Sequence, residues 1–291
     1  MLTNYKNTTL GIVGGGQLGR MLIQAAIDLN IDVHILDPDA NAPCRDIATE
    51  FTQGSLTDFD TVYTFAQNCD VITIEIENVN TEALQKLSEE GKKVYPEPNV
   101  VALIQDKREQ KQFYEKHDIP TAPFVLTEQQ LDLEKHQDMF PAVQKLGRAG
   151  YDGRGVQKIQ STEDISKGFD QPGLLEKLID FEKELAVIVA RNPSGEIKAF
   201  PVTEMVFHPE HNLVEYLFAP ASISEEIAQK ATDLAKKVIE ELNMTGLLAV
   251  ELFLTRDGEI LVNEVGPRTH NSGHHTIEGN MVSQYDQHLR A

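Results

Sequence analysis

Leu247-Leu-Ala-Val-Glu-Leu-Phe-Leu-Thr-Arg-Asp-Gly-Glu-Ile-Leu-Val-Asn-Glu-Val265 is two apolar runs around an Asp-Gly pair. Asp-Gly between such runs signals a two-residue hairpin turn, because both central residues must adopt positive φ. With Asp257 and Gly258 as that turn, Glu251 lies directly opposite Glu264. Directly opposed Cβ atoms sit ~4.5–5.5 Å apart, and like charges there repel. In an unbroken ladder, Leu247, Ala249 and Phe253 share the face of Glu251, and Ile260 and Val262 share that of Glu264. Two carboxylates are thereby set in an apolar face. A divalent cation resolves the repulsion, and all-oxygen ligation suits Mg²⁺. The alternatives are carboxylates facing solvent at a sheet edge, or one proton shared between the two. Asn263 offers a further oxygen, but in an ideal strand it faces the other side.

Working outward, the second half of the chain reads as antiparallel. Leu185–Ala190 and Ile197–Val206 are strand-like and flank the hairpin signal Asn192-Pro-Ser-Gly. Ser224–Asn243 is a helix capped by Ser224, with Glu225 and Glu226 in its first turn. Ile227, Ala231, Leu234, Val238 and Leu242 form one apolar stripe that should pack on the sheet. The first half reads differently. Strands Thr9–Val13, Asp32–Leu36, Asp70–Ile76 and Lys92–Tyr95 alternate with helices Gln17–Leu29 and Thr81–Glu90, the pattern of a parallel α/β sheet. Tyr95-Pro-Glu-Pro marks a boundary, since proline disfavours helix in the residue before it. Asn99 then caps a helix predicted to run to about His117. From Phe124 to Ile179 the order is strand, helix, strand, glycine-rich loop, strand, helix, strand, a small α+β unit.

Two glycine-rich loops point to anions. Gly14-Gly-Gly-Gln-Leu-Gly19 follows a strand and opens a helix, so backbone N–H groups and the positive helix end face a ligand. Asp37, ending the next strand, stands where a nicotinamide enzyme would hold a ribose. Gly147-Arg-Ala-Gly-Tyr-Asp-Gly-Arg-Gly155 lies between Ala142–Leu146 and Val156–Ile159. Four glycines allow close backbone approach to phosphate, and Arg148 or Arg154 can neutralise its charge.

Composition excludes several classes. With 291 residues, two or three domains of ~100–200 residues are expected. No apolar run approaches the ~18–20 residues of a membrane span, and Met1–Val13 lacks the layout of an export signal. The formal net charge of −20 argues against nonspecific binding to nucleic acid or anionic membrane. Trp is absent and aromatics make up 7%, which argues against a base-stacking platform. The two cysteines, Cys44 and Cys69, form no metal or redox motif, in keeping with a cytoplasmic protein.

Taken together, the chain resembles the ATP-grasp carboxylate–amine ligases, most of all those that carboxylate 5-aminoimidazole ribonucleotide in purine biosynthesis. The motifs that carry the resemblance are Gly11-Ile-Val-Gly-Gly-Gly-Gln-Leu-Gly-Arg-Met21, Gly150-Tyr-Asp-Gly-Arg-Gly155, Glu176-Lys-Leu-Ile179 and Asn263-Glu-Val-Gly-Pro-Arg-Thr-His-Asn-Ser-Gly-His274. They occur in family order and span nearly the whole chain. The resemblance implies an ATP-grasp fold of the α/β class: a Rossmann-like domain over 1–98, a small lid domain over 99–180 and a large domain with an antiparallel sheet over 181–291. It also implies site residues. Lys107 and Lys145 would touch ATP phosphates, and Gly150, Tyr151, Asp152, Gly153, Arg154, Gly155 and Val156 would form a flap. Glu176, Lys177, Leu178 and Ile179 would meet adenine through their backbone, with Glu184 on the ribose. Asn263 and Glu264 would close the nucleotide site, and Glu251 with Glu264 would hold Mg²⁺. The first loop (Gly16, Gln17, Leu18) would sit beside the ribonucleotide rather than NAD, with Glu75, Tyr151, Asp152, Arg154 and His270 also contacting that substrate. Arg268 would stabilise the migrating charge, and Asn271 would orient bicarbonate, beside His270. A homodimer is also implied.

Two departures stand out. Family members continue past a segment like Gln284-Tyr-Asp-Gln-His-Leu-Arg290 into a small module with a basic motif for the substrate phosphate, so a shortened chain is the expectation. Pro201–Ala219 is longer than the family pattern, leaving His208 and His211 as competing matches for a nucleotide-site histidine. The implied reaction joins ATP, bicarbonate and aminoimidazole ribonucleotide through carboxyphosphate. The rivals are a sister ligase such as a formate-dependent glycinamide ribonucleotide enzyme, an NAD-dependent oxidoreductase resting on Gly14–Gly19 and Asp37, and a noncatalytic nucleotide sensor.

Overall fold

The computed structural model describes residues 8–148, 155–207 and 214–291. Gly150, Tyr151, Asp152, Gly153 and Arg154 of the expected flap, and both His208 and His211, lie outside the described residues.

The chain builds three sheets in succession. The first comprises β1 (Thr9–Val13), β2 (Asp32–Asp37), β3 (Glu50–Gln53), β4 (Val71–Ile74) and β5 (Lys93–Val94), in the order β3-β2-β1-β4-β5 with every pair parallel. Parallel sheets need both faces covered. Here α1 (Gln17–Asp28) packs Leu18, Leu22 and Ile23 against Leu10, Ile12 and Ile35. On the other face α2 (Phe59–Ala66) and α3 (Thr81–Glu89) pack Val62, Leu84 and Leu87 against Val13, Ile72 and Ile74. Two elements were not foreseen, β3 and α2. Glu50-Phe-Thr-Gln is an edge strand whose residues all keep solvent contact, so it carries no apolar run. The expected strands Asp70–Ile76 and Lys92–Tyr95 are shorter than read.

The helix expected over 99–117 is two: α4 (Pro98–Ile104) and α5 (Lys107–Lys116). Asp106 ends the first run by capping the second, its carboxylate accepting the Arg108 N–H at 3.0 Å. The Lys107 N–H, with no helical partner of its own, donates to Gly147 O at 2.8 Å. The entry cap is Glu97 with Pro98 in the first helical position, not Asn99.

The second sheet, β6 (Phe124–Thr127), β7 (Ala142–Leu146), β8 (Val156–Ile159) and β9 (Gly173–Lys177), is antiparallel in the order β6-β9-β7-β8. Its two expected helices are 3₁₀ structure: Thr162–Lys167 is one run, and Gln130–Met139 is broken by a kink at His136, whose backbone is not helical. The third sheet has the path β13-β12-β10-β14-β15, with β11 also on β10: β10 (Phe181–Arg191), β11 (Ile197–Ala199), β12 (Thr203–Phe207), β13 (Val214–Phe218), β14 (Gly246–Thr255) and β15 (Ile260–Gly266). The single strand expected over 197–206 is split in two around Pro201, which lacks an N–H for the ladder. Helix α6 (Glu225–Glu241) lies across this sheet as expected, with Ser224 accepting the Ile227 N–H at 3.3 Å. Its Ala231, Ala235, Val238 and Ile239 pack on Leu185, Val187, Leu248, Val250 and Leu252. Two short helices, α7 (Thr276–Gly279) and α8 (Gln284–Arg290), close the described chain. No helix among the described residues is long and apolar enough to cross a membrane.

Candidate active site

The hairpin of β14 and β15 pairs Glu251 with Glu264, as expected, but by a different route. Leu254 pairs with Ile260, and Thr255 N–H donates to Glu259 O at 2.9 Å. The turn is therefore Arg256-Asp257-Gly258, three residues rather than two, with Gly258 at φ +85°. The ladder then shifts between Leu252–Val262 and Glu251–Glu264, leaving Asn263 as an extra residue, a β-bulge. The expected face assignment fails for the same reason. Ile260 and Val262 lie in the core with Leu252, Leu254 and α6, not beside Glu264. Asn263, expected on the far side, instead places Oδ1 3.3 Å from the Lys145 ammonium.

Around this pair α5 and the second sheet contribute cations. Lys107 opens α5 and contacts Glu264 Oε1. Lys145, on β7, reaches Glu176 Oε2 at 2.8 Å, and Lys111, one turn beyond Lys107, reaches Glu176 Oε1 at 2.7 Å. Burial drives the Glu264 carboxyl up, but Lys107 and Lys145 outweigh it and hold the group at about 2. Among the described residues Glu251 has no such ammonium partner. Burial first, then Glu264 and Glu184, push it up to about 8. Glu184, on β10 beside Phe253, is pushed up to about 7 by burial. The donor set suits a divalent cation: two opposed carboxylates, one charged and occupied by an ammonium, the other held neutral by burial and its carboxylate neighbours. Among the described residues no group of three or more His, Cys, Asp and Glu side chains is disposed to hold a metal, so remaining ligands would come from phosphate and water.

Glu176–Ile179 ends β9. The N–H groups of Lys177 and Leu178 are already donated, to Pro123 O at 2.9 Å and Pro141 O at 3.1 Å. Ile179 N–H has no backbone acceptor among the described residues, which leaves it for a base. Arg148, a candidate phosphate ligand, pairs with Asp106 at 3.1 Å. Gly155 takes φ +71°, and its carbonyl accepts from Leu146 N–H at 2.9 Å, closing the loop base before Val156 opens β8.

On the far side of Glu251, β15 runs into the Pro267–His274 loop. His270 Nε2 stands 3.5 Å from Glu251 Oε1, while Nδ1 accepts the Ser272 N–H at 3.3 Å. Nδ1 is therefore the unprotonated nitrogen and Nε2–H faces the carboxylate. Burial, then the Arg268 charge, holds His270 down at about 3, so it is a neutral donor. Arg268 grips Glu77 through two contacts, Nε–Oε1 at 2.9 Å and Nη2–Oε2 at 3.0 Å, and Nη1 donates to Thr269 O at 3.0 Å. Asn271 is exposed at the start of a 3₁₀ turn.

The first glycine loop has its own anions. Gly15 N–H donates to Asp37 Oδ2 at 2.7 Å. Glu75 turns its carboxylate under the loop, toward the N–H groups of Gly16, Leu18 and Gly19. A Cβ on Gly16 would lie 2.5 Å from Glu75 Oε1, so any larger residue would displace that carboxylate. Burial raises the Glu75 carboxyl, partly offset by Arg268 and those N–H groups. Two carboxylates thus face the loop's donors, a poor setting for the pyrophosphate of NAD.

Against known families, residues 112–285 match the ATP-grasp domain, and residues 7–105 match the ribonucleotide synthetase preATP-grasp domain. The chain belongs to the ATP-grasp family. It is 40% identical to the phosphoribosylaminoimidazole carboxylase of Candida albicans, over 97% of this chain and 51% of that one. It therefore spans about half the length of that relative. It is 38% identical to the N5-carboxyaminoimidazole ribonucleotide synthase of Bacillus subtilis, over 99% of this chain and 76% of that one. A crystal structure of the carboxyaminoimidazole ribonucleotide synthase of Aspergillus clavatus complexed with ATP superposes with a TM-score of 0.93, at 38% identity, covering 99% of this chain and 77% of that chain.

In this ATP-grasp chain the structure draws Lys107, Lys145, Glu176, Glu184, Glu251, Asn263 and Glu264 into one cluster, and Glu75, Arg268 and His270 into an adjoining one. Sequence reasoning missed Lys111 and Glu77. Both carried a periodic signal: Lys111 is four residues beyond Lys107 on one helix, and Glu77 is two beyond Glu75 at a strand exit.

Proposed function

We propose that this chain carboxylates 5-aminoimidazole ribonucleotide with bicarbonate, at the expense of ATP, to give the 5-(carboxyamino)imidazole ribonucleotide of purine biosynthesis. One observation carries the reading: Glu251 opposes Glu264 across the bulged hairpin, with the Lys107 and Lys145 ammoniums gathered over them. An acidic pair under a cationic roof suits a metal–triphosphate. The relatives' names supply the substrate class. The layout of charge supports the same split, with a cationic cluster for phosphates on one side and Arg268 with neutral His270 on the other.

Bicarbonate is a poor electrophile. Phosphorylation by ATP gives carboxyphosphate, whose leaving group is phosphate, and the substrate amine then captures the carboxyl group. No protein nucleophile is required, so catalysis is positioning and charge neutralisation. Lys107 and Lys145 bind the phosphates. Mg²⁺, held by Glu251 and Glu264, would supply further charge neutralisation at the transferring phosphoryl group. Ile179 N–H and the carbonyls of the β9 exit receive adenine, and Glu184 receives the ribose. Arg268 stabilises the carboxyl and phosphoryl charge. His270, held neutral, donates from Nε2, and Asn271 orients bicarbonate. The Gly150–Val156 segment covers the phosphates and excludes water, which would otherwise hydrolyse the intermediate. Glu75 and the Gly16–Leu18 turn line the ribonucleotide side. The resemblance also supports a cytoplasmic homodimer, a state that sedimentation checks.

The test is ADP release with and without aminoimidazole ribonucleotide and bicarbonate, for the parent and for Glu264→Gln. The parent should release ADP only with both co-substrates, and formate should not replace bicarbonate. Glu264→Gln should release none while its circular dichroism is unchanged; normal turnover would refute the metal role.

A further inference from the structure

Lys111 has no part in the scheme above, yet it is among the most buried cations of the chain, its side chain 4% exposed. Burying an ammonium is costly unless it is paired, and burial pulls its pKa down. Its partner is Glu176, 6% exposed, which also pairs with Lys145. The far side of the Lys111 ammonium meets Thr121 Oγ1, which in turn donates to Val262 O at 2.7 Å. Val262 adjoins Asn263, the residue that faces Lys145. The contacts close into a ring running from β15 through Thr121, Lys111, Glu176 and Lys145 back to β15.

Charge gives the ring its meaning. A lone Lys145–Glu176 pair would be neutral and would offer little to a polyanion. Two ammoniums on one carboxylate leave one net positive charge, shared with Lys145, the member that also faces Asn263 beside Glu264. We infer that Lys111 is a positioning residue that shares the negative charge of Glu176 and so keeps the Lys145 ammonium available to a triphosphate. This rests on the proposed nucleotide site. Glu264 and Glu251 also lie in the field of Lys145, but Lys107 sits on Glu264, and among the described residues the carboxylate that pairs directly with Lys145 is Glu176.

The test is equilibrium binding of ATP, ADP and adenosine to the whole chain by calorimetry. The variants are Lys111→Met, Glu176→Gln and the two combined. Lys111→Met should weaken ATP ~10- to 100-fold, as expected for one charge lost a few ångströms from the phosphates, and leave adenosine binding unchanged. The double variant removes one charge of each sign, restores the single positive charge, and should bind ATP within about threefold of the parent, a rescue argued from charge alone. A structural role would weaken adenosine as much as ATP, and the second substitution would not rescue; either result overturns the inference. Should Lys111→Met fail to fold, the double variant alone decides, since ATP binding ~10-fold or more below Glu176→Gln with parent-like adenosine binding is then the expected charge effect, and equal binding sinks it. A parent that binds adenosine and ATP alike, or neither, refutes the nucleotide-site reading itself. A parent that prefers ATP, with Lys111→Met unaffected, refutes only the role of Lys111.

Discussion

His288 should make the protein lose stability in mild acid, by an amount the structure fixes. Its ring is buried where α8 crosses from the first sheet to the third. Nε2 lies 3.0 Å from Thr73 Oγ1 on β4, Cε1 lies 3.6 Å from where a Cβ on Gly246 would be, and among the described residues no carboxylate pairs with it. Nδ1 has no partner. Burial alone pulls the imidazole from 6.5 to about 4. The folded chain therefore stays neutral at this site while the unfolded chain takes up a proton, so stability is intact above 6.5 and falls as pH drops toward about 4. At 1.36 kcal/mol per pKa unit, the shift amounts to about 3 kcal/mol in full, of which about 2 kcal/mol is lost between pH 7 and pH 5. Urea unfolding followed by circular dichroism measures this, since the chain has no Trp to report. His270, His274 and His275 are shifted the same way, so the informative quantity is a difference. His288→Gln keeps a polar group for Thr73 and cannot titrate. It should lose about 2 kcal/mol less than the parent over that interval. Equal losses in parent and variant would refute the reasoning.

Arg268→Ala should lower kcat for ADP release more than it raises the KM for ATP; equal losses would mean that Arg268 binds ground state and transition state alike. Glu77→Gln removes the carboxylate that holds the Arg268 fork, so kcat should fall with the ATP KM unchanged, while thermal unfolding shows a stability loss of about 1 kcal/mol, modest because the pair is partly solvated. Glu251 ionises only as pH rises past about 8, so at pH 9 Glu251→Gln removes one of two opposed like charges and the metal-free variant should unfold at higher temperature than the parent, while ADP release is lost; a lower unfolding temperature at pH 9 would contradict the repulsion.

Much of the fold was legible because its signals are local. Apolar runs such as Leu10–Val13 and Ile72–Ile74, and the stripe of α6, mark elements whose faces are buried, and burial is what writes periodicity into a sequence. What escaped lacks that imprint. β3 is held by pairing at an edge rather than by burial, and the break between α4 and α5 depends on Asp106 meeting the Arg108 N–H and on Gly147 arriving from another sheet. The site divided along the same line. Glycine loops and the Asn263–His274 run could be read as motifs, whereas the pairing of Arg268 with Glu77 and of Lys111 with Glu176 joins residues 191 and 65 positions apart, and no local pattern encodes such distances.

The carboxylate pair shows how a correct contact can follow from an incorrect path. A three-residue turn, by itself, sets a register in which Asn263 faces Glu251 and Glu264 falls opposite Val250, on the face covered by α6. Glu264 would then be a buried, unpaired carboxylate in an apolar core, which no helix would pack against without loss. The bulge at Asn263 shifts the strand by one residue. It returns Glu264 to the side of Glu251, sends Val265 into the core, and leaves Asn263 reaching toward the same cluster. A regular strand alternates its side chains and cannot present two neighbours to one ligand. The bulge can, so the irregularity is what allows Asn263 to face Lys145 while Glu264 faces Lys107.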